Sequence, residues 1–269
     1  MTYKKIAIIA NKTPQAQDKL AQINEIHNFI QLDYATKEAP QDLDLIIVLG
    51  GDGFMLHCLH TYMHLDIPLY GINCGTVGFL LNHFNLKDLD SLLDQATTTI
   101  TYPLEMTAYL LDGKTKTHLA INEVSLFRKT SQASKIKITI DNEVRLPELV
   151  ADGILLSTPA GSSAYNSSVN GPILPIGSNI LALTPISPFQ PKKWSGAIIP
   201  HTATVELTIL NPEHRPVNAV ADFLEVSSVS SVKIKENREK PIRLLFDNNH
   251  SLEERILKEQ FAYDRYSSQ

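Results

Sequence analysis

At 269 residues, with 43% hydrophobic and 20% charged content, the chain is long enough for one large or two modest domains, each with a real core. A net charge of −5 without a long basic block excludes nucleic acid as the main partner, because binding a phosphate backbone needs a concentrated Lys/Arg face; Lys135–Lys137 and Lys192-Lys193 read as solvated faces. No stretch approaches the ~18 apolar residues of a membrane span, and two cysteines, Cys58 and Cys74, make neither a metal-like pair nor a disulfide framework.

The expected setting is therefore the cytoplasm, where the sequons at Asn11, Asn166 and Asn249 are incidental. Residues 4–10 are an apolar run too short for a signal-peptide core and read as a first strand. Leu20, Ile23, Ile26 and Phe29 then recur at helical spacing over 14–28. A second short strand is expected at 30–34, and a polar loop around Pro40 leads to Leu45-Ile46-Ile47-Val48-Leu49, suited to a strand buried on both faces. It stops at Gly50-Gly51-Asp52-Gly53, after which helical periodicity resumes over 54–65. Residues 67–73 are another strand, 75–81 a second glycine-punctuated turn and 86–96 an amphipathic helix, and the threonine run 97–101 with Pro103 breaks the pattern. Such alternation implies a parallel sheet whose ligands gather at the carboxyl ends of its strands, where both glycine turns belong.

From about residue 100 the character changes. Segments near 104–111, 118–128, 134–140, 153–157, 204–210, 217–221, 226–235 and 241–246 are short, rich in Val, Ile, Leu and Thr, and divided by turn residues. The expected architecture is a Rossmann-like α/β domain with a parallel sheet over 1–99, and a mainly antiparallel β domain over 100–247. A terminal helix within 248–269, opened by the capping box Ser251–Glu254, packs back on the first domain.

The turn at 50–53 has the chemistry of a phosphate site. Glycines permit positive φ and close ligand approach, and a following helix N-terminus favours an anion. Asp52 is an odd neighbour for a phosphate unless a metal or an attacking hydroxyl lies between them, so the turn suggests phosphate chemistry rather than storage. A solvent-facing Gly-Asp-Gly turn would look alike, and the turn matches neither the P-loop nor the dinucleotide fingerprint. His57, His60 and His64 recur at helical spacing beyond it; a polar face explains them better than zinc, since no carboxylate or cysteine completes a ligand set. His57 alone is one turn from the anion site.

Two further stretches carry polar groups where they are costly. Asn122 and Glu123 interrupt the apolar run Leu119–Phe127, so each needs a partner, either within the protein or on a ligand: a base edge for the carboxamide, sugar hydroxyls for the carboxylate. Asp152 precedes an apolar strand that enters Ser157-Thr158-Pro159-Ala160-Gly161-Ser162-Ser163-Ala164-Tyr165-Asn166-Ser167-Ser168, a small-residue loop that lets a flat ligand approach hydroxyls, backbone N–H groups and an aromatic ring. A serine-rich surface loop explains the polarity but not the bracketing Asp152 and Tyr165. Ser/His/Asp catalysis lacks its nucleophile elbow.

Together these stretches resemble the bacterial type of the NAD kinase family. Gly50-Gly51-Asp52-Gly53, Asn73 with Gly75 to Phe79, Asn122-Glu123, Asp152 and Ser157 to Tyr165 stand in the family's order over nearly the whole chain. The first turn alone is shared with diacylglycerol, sphingosine and phosphofructo-kinases. The resemblance implies transfer of a phosphoryl group from ATP, with a divalent metal (Mg or Mn, carried on the nucleotide), to the 2′-hydroxyl of the adenosine ribose of NAD. It makes Asp52 the base or orienter of that hydroxyl, and Gly50, Gly51, Gly53, His57 and Asn73 contacts to phosphate or NAD. Asn122, Glu123, Asp152, Ser163, Ala164, Tyr165, Asn166, Ser167 and Ser168 become the dinucleotide's. It also implies a homodimer or homotetramer and leaves polyphosphate open as donor.

The chain departs from the family at Phe54, where many members carry Thr or Ser, at Ala160 and Ser163, which replace frequent threonines, and at Phe223 and Leu224 after the matching Asp222. No familiar counterpart of Pro188–Trp194 is evident. A lipid kinase would leave Asn122, Glu123 and Tyr165 without a purpose, and a non-catalytic NAD sensor would not need Asp52.

Overall fold

The computed structural model describes residues 3–75 and 78–248. They divide into two units, one running to Thr101 and resuming at Lys240, the other spanning Tyr102–Glu239.

The first unit begins with β1 (Ile6–Ala10), α1 (Pro14–Asn24), β2 (Ile30–Gln31), β3 (Leu45–Gly50), α2 (Asp52–Tyr62), β4 (Leu69–Asn73), α3 (Leu89–Gln95) and β5 (Thr97–Thr101). Pro14 sits in the first turn of α1, where its missing N–H costs nothing. Every residue of β3 is buried, as expected of a parallel strand covered on both faces. The helix expected to reach residue 28 ends at Asn24, and Ile26 beyond it is 63% exposed.

The second unit contains β6 (Leu104–Leu110), β7 (Thr115–Ala120), β8 (Glu123–Arg128), β9 (Ser134–Ile140), β10 (Glu143–Ser157), the single-turn α4 (Tyr165–Ser168), β11 (Ile180–Gln190), β12 (Ala197–Pro200), β13 (Val205–Ile209), β14 (Val217–Ala221), β15 (Leu224–Val226) and β16 (Val229–Glu236). Among the described residues its eleven strands pair antiparallel in the order β15-β14-β8-β10-β9-β13-β16-β6-β7, with β11 joining β10 to β12. The sheet curls so that β6 lies against β8 and β7 against β14, around one core that includes Met106, Leu126, Ile154, Leu207 and Val232.

Several segments differ from the sequence expectation. The strand expected at 153–157 is the end of the fifteen-residue β10, which absorbs Pro147 where its register against β9 shifts between Leu146 and Leu149. β11 was masked by Pro185 and Pro188; the second stands where β10 bulges between Val150 and Ala151. The run 119–127 is not one strand: it bends at Ile121-Asn122, between β7 and β8. The threonine run 97–101 forms the edge strand β5, which β-branched side chains suit.

The segment 241–246, expected in the β domain, is β17 (Ile242–Phe246) of the first unit's sheet. That sheet runs β2-β1-β3-β4-β17-β5, all parallel except the antiparallel β5. The helix expected within 248–269 lies outside the described residues. Buried polar groups secure β17. Asn82, fully buried, donates to the Gly71 carbonyl at 3.1 Å and the Leu245 carbonyl at 2.9 Å and accepts from the Asp247 amide at 3.1 Å; the Tyr70 hydroxyl donates to Asp247 at 2.6 Å.

Asn82→Leu keeps the volume but strips the Leu245 carbonyl and the Asp247 amide of their partner, and leaving buried polar groups unpaired costs about 1–3 kcal/mol each. The variant is expected to lower the opening free energy of the first unit by roughly 2–4 kcal/mol, with the second unit unchanged, measured by hydrogen exchange of β4 and β17 against β8 and β10.

Candidate active site

The first unit presents its candidate residues at the carboxyl ends of β3 and β4. Gly51 caps α2 in an extended conformation, and the first-turn amides of α2 have no carbonyl to bond within the helix. None of Gly50, Gly51 and Gly53 uses positive φ; what they provide is space. A Cβ at Gly51 or Gly53 would meet nothing within 4 Å, whereas one at Gly50 would lie 2.7 Å from the ring of Phe54.

Asp52 is fixed from the second glycine turn. One carboxylate oxygen accepts the Phe79 amide at 2.8 Å and the other the Leu80 amide at 3.0 Å. A Cβ at Gly78 would sit 3.3 Å from the Asp52 carboxylate and 2.8 Å from Leu81, which explains that glycine. The Asn73 side chain accepts the Gly75 amide at 2.8 Å, folding the chain where β4 ends.

Sequence reasoning missed Lys19. From α1 its ammonium reaches the Asn73 carbonyl at 2.5 Å and lies 5.0 Å over the Phe84 ring, putting a cation beside the same strand end. Burial raises the nearby Cys74 thiol and Lys19 opposes that shift. Nothing in the local sequence marks this residue, because its role comes from the packing of α1 beside β4. His57 sits edge-on to Tyr34, 6.2 Å between ring centroids, and Tyr34 also meets Phe54 at 5.5 Å. Among the described residues no group of three or more His, Cys, Asp or Glu is placed to hold a metal ion.

The second unit gathers the other candidates around the bend between β7 and β8. Asp222, in left-handed conformation at φ 55°, accepts the amides of Ile121 at 2.6 Å, Asn122 at 2.9 Å and Glu123 at 3.1 Å. The Asn122 carbonyl takes the Thr158 amide at 2.9 Å, and the Thr158 hydroxyl donates to the Ile121 carbonyl at 2.7 Å. Gly161 packs so tightly on this bend that a Cβ would fall 2.2 Å from the Asn122 carbonyl oxygen.

The bend aims two acceptors that the protein does not satisfy: Asn122 Oδ1 and Glu123 Oε2 are buried without a hydrogen-bond partner. Burial, with the Asp222 charge behind it, pushes the Glu123 carboxyl up to about 8. Tyr165 lies close by, its phenol raised first by burial and then by the charges of Glu123 and Asp152. Asp152, on β10, pairs with Arg128 of β8 at 2.5 Å, and Arg128 also donates to the Thr130 carbonyl at 2.5 Å. This partner was not evident in the sequence, where 24 residues separate the two.

The loop residues divide by role. Ser163, Ala164, Tyr165 and Ser167 are half-buried and Ser168 is exposed. The Asn166 side chain, expected to touch the dinucleotide, is fully buried and spent on the protein: it donates to the carbonyls of Ser162 at 3.2 Å and Pro172 at 2.9 Å and accepts the Thr184 hydroxyl at 2.7 Å. It braces the loop; the Ser162 hydroxyl does likewise, donating to the Pro159 carbonyl at 2.7 Å.

Comparison with known proteins identifies both halves. Residues 4–100 match the family model of the ATP-NAD kinase N-terminal domain, and residues 121–222 that of the C-terminal domain. The NAD kinase of Rickettsia akari is 48% identical over 262 residues, covering 97% of this chain and 100% of that protein, and that of Rickettsia bellii is 47% identical over the same span. Among solved structures, yeast NADH kinase complexed with NADH superposes with a TM-score of 0.82 at 21% identity, covering 99% of this chain and 91% of that one. An NAD kinase from Archaeoglobus fulgidus in complex with ATP gives 0.76 at 19%, covering 95% and 98%. At such identities the structures speak to the fold alone, but the whole-length relatives settle the lineage: the chain belongs to the NAD kinase family, enzymes that make NADP from NAD and ATP.

Proposed function

We propose that the chemistry divides between the units, the first handling phosphate and the reacting hydroxyl, the second recognising the dinucleotide. The observation that carries this reading is the pair of buried, unsatisfied acceptors Asn122 Oδ1 and Glu123 Oε2 beside Tyr165. A ligand bearing an amide or amino group and sugar hydroxyls satisfies both, and the aromatic ring covers its flat part. Gly51 and Gly53 have room for phosphate oxygens at the N-terminus of α2, Gly50 and Asn73 end β3 and β4, and His57 stands further along α2.

Asp52 is the base. Two amides fix its orientation, and the carboxylate takes the proton of the NAD 2′-hydroxyl late in phosphoryl transfer, when that hydroxyl has become acidic. Lys19 adds positive charge at the strand ends. Mg or Mn, held by the phosphates of ATP, would neutralise phosphate charge when bound. Asp152, set by Arg128, and the backbone of Ser163, Ala164, Ser167 and Ser168 complete the dinucleotide's surroundings, with Asn166 as their support. A cytoplasmic homodimer or homotetramer working on NAD is the reading that fits the composition and the family. NADH and polyphosphate are secondary substrates to be assayed.

Asp52→Asn is expected to lower kcat by about 10²–10⁴, the usual worth of a general base, while calorimetry finds NAD affinity within a few-fold of the parent. Parallel loss of both would make Asp52 a strap for the second turn and no more. For Glu123, the folded carboxyl holds its proton up to about 8 while the unfolded one releases it near the ordinary value of 4.5. The folded state therefore binds more protons across that window, and its contribution to stability falls as pH rises through it. Glu123→Gln, which mimics the protonated acid, is expected to match the parent's Tm near pH 5 and exceed it increasingly toward pH 9, as followed by thermal unfolding.

A further inference from the structure

An ion pair stands at one end of the second unit's dinucleotide residues. The register that sets Gly153 against Phe127 brings Asp152 opposite Arg128, and the guanidinium bonds the Asp152 carboxylate through Nε at 2.5 Å and the Thr130 carbonyl through a second nitrogen at 2.5 Å. The side chains are 27% and 22% exposed, so water and salt screen the pair only in part. The backbone beneath Arg128 is held as well: Val217 of β14 pairs with it, and the Lys129 amide donates to the Pro216 carbonyl at 2.9 Å.

Glu123 opens β8 and Arg128 closes it, roughly 17 Å apart at the rise of an extended chain. Tyr165 is within electrostatic reach of both ends: its phenol, raised chiefly by burial, is raised further by the charges of Glu123 and of Asp152. On the reading given above, adenine offers the amino donor that Asn122 Oδ1 lacks and its ribose the hydroxyls for Glu123, which leaves the nicotinamide ring for the Asp152 end. NAD and NADH differ at that ring alone: the oxidised ring carries a positive charge and the reduced one carries none. A carboxylate nearby favours the oxidised form, and a guanidinium on that carboxylate cancels much of the preference. The carboxyls at the other end add little to this balance, since Glu123 holds its proton up to about 8 and Asp222 lies under three amides.

We propose that Arg128 is a specificity-determining residue of this enzyme: by neutralising Asp152 it sets how strongly the dinucleotide site favours the oxidised nicotinamide over the reduced one, acting through the carboxylate and not on the ring. This rests on the dinucleotide role given above to the second unit.

Calorimetric titration of the full-length protein and its variants with NAD, and separately with NADH, gives the ratio of the two dissociation constants. Arg128→Met, which keeps the stem and removes the charge, is expected to shift that ratio toward NAD by roughly fivefold or more. Asp152→Asn leaves the guanidinium unopposed and is expected to shift it toward NADH by roughly fivefold or more. Arg128→Lys retains the charge and should hold the ratio within about twofold of the parent, and the double variant Arg128→Met with Asp152→Asn, which removes both charges, should return it to about the parent value. A side chain that merely orients Asp152 would weaken both ligands alike. Equal losses for NAD and NADH in the single variants, or shifts of the same sign in both, would overturn the inference and leave the dinucleotide reading standing. Should Arg128→Met fail to fold, a ratio unmoved by Asp152→Asn overturns it on its own. Affinities for both ligands that Asp152→Asn leaves unchanged would overturn the dinucleotide role of Asp152 as well.

Discussion

Three backbone amides converging on the Asp222 carboxylate hold the bend between β7 and β8, and most of what distinguishes the second unit follows from that interaction. A bend inside an apolar sheet strips amides of their ladder partners, and a single side chain in left-handed conformation supplies the replacement acceptor. With the backbone so fixed, Asn122 and Glu123 stand where no protein group can satisfy them. Their burial is a standing cost, and it is lowered when a ligand provides the missing donors. The negative charge behind Glu123 adds to this, since it disfavours a second charge nearby. On the reading proposed above, stability in the free protein is given up for a surface already arranged for its ligand.

The first unit is organised by the opposite device. Asp52 is not left unsatisfied but shared, each oxygen already bonded to an amide of the second glycine turn. Its direction is set by the protein itself, which is what the base role proposed for it would need in order to act without reorganisation. Lys19 brings a cation to the end of β4, at the Asn73 carbonyl. The two units thus divide preorganisation into an acceptor held in place and acceptors held in want.

How much of this was legible in the sequence depended on how local the cause was. The strand, turn and helix at 45–62 could be read because burial on both faces, glycine punctuation and helical periodicity all act over a few residues. Asn122, Glu123 and Tyr165 stood out as polar groups in apolar or small-residue surroundings. What failed was long-range. Lys19 and Arg128 owe their positions to packing between elements, and Asn166 reads as a ligand contact until Thr184 is seen to be its partner. β11 hid behind two prolines, of which Pro188 stands where β10 bulges, and that bulge is not written in β11 itself.

The position of β17 bears on how the chain comes to be folded at all. It lies between β4 and β5, yet it is made only after the entire second unit. As the polypeptide leaves the ribosome, β1 to β4 can assemble early and Asn82 can bridge Ile72 at the carboxyl end of β4, but the edge at Leu69 then waits for Leu244 while well over a hundred further residues are synthesised. β5 has no neighbour until β17 arrives. An unprotected parallel edge is a template for wrong pairing, and contacts this distant in sequence form slowly. The first unit is therefore the first to begin and the last to finish, and its exposure to misassembly during synthesis is set by how fast the second unit folds.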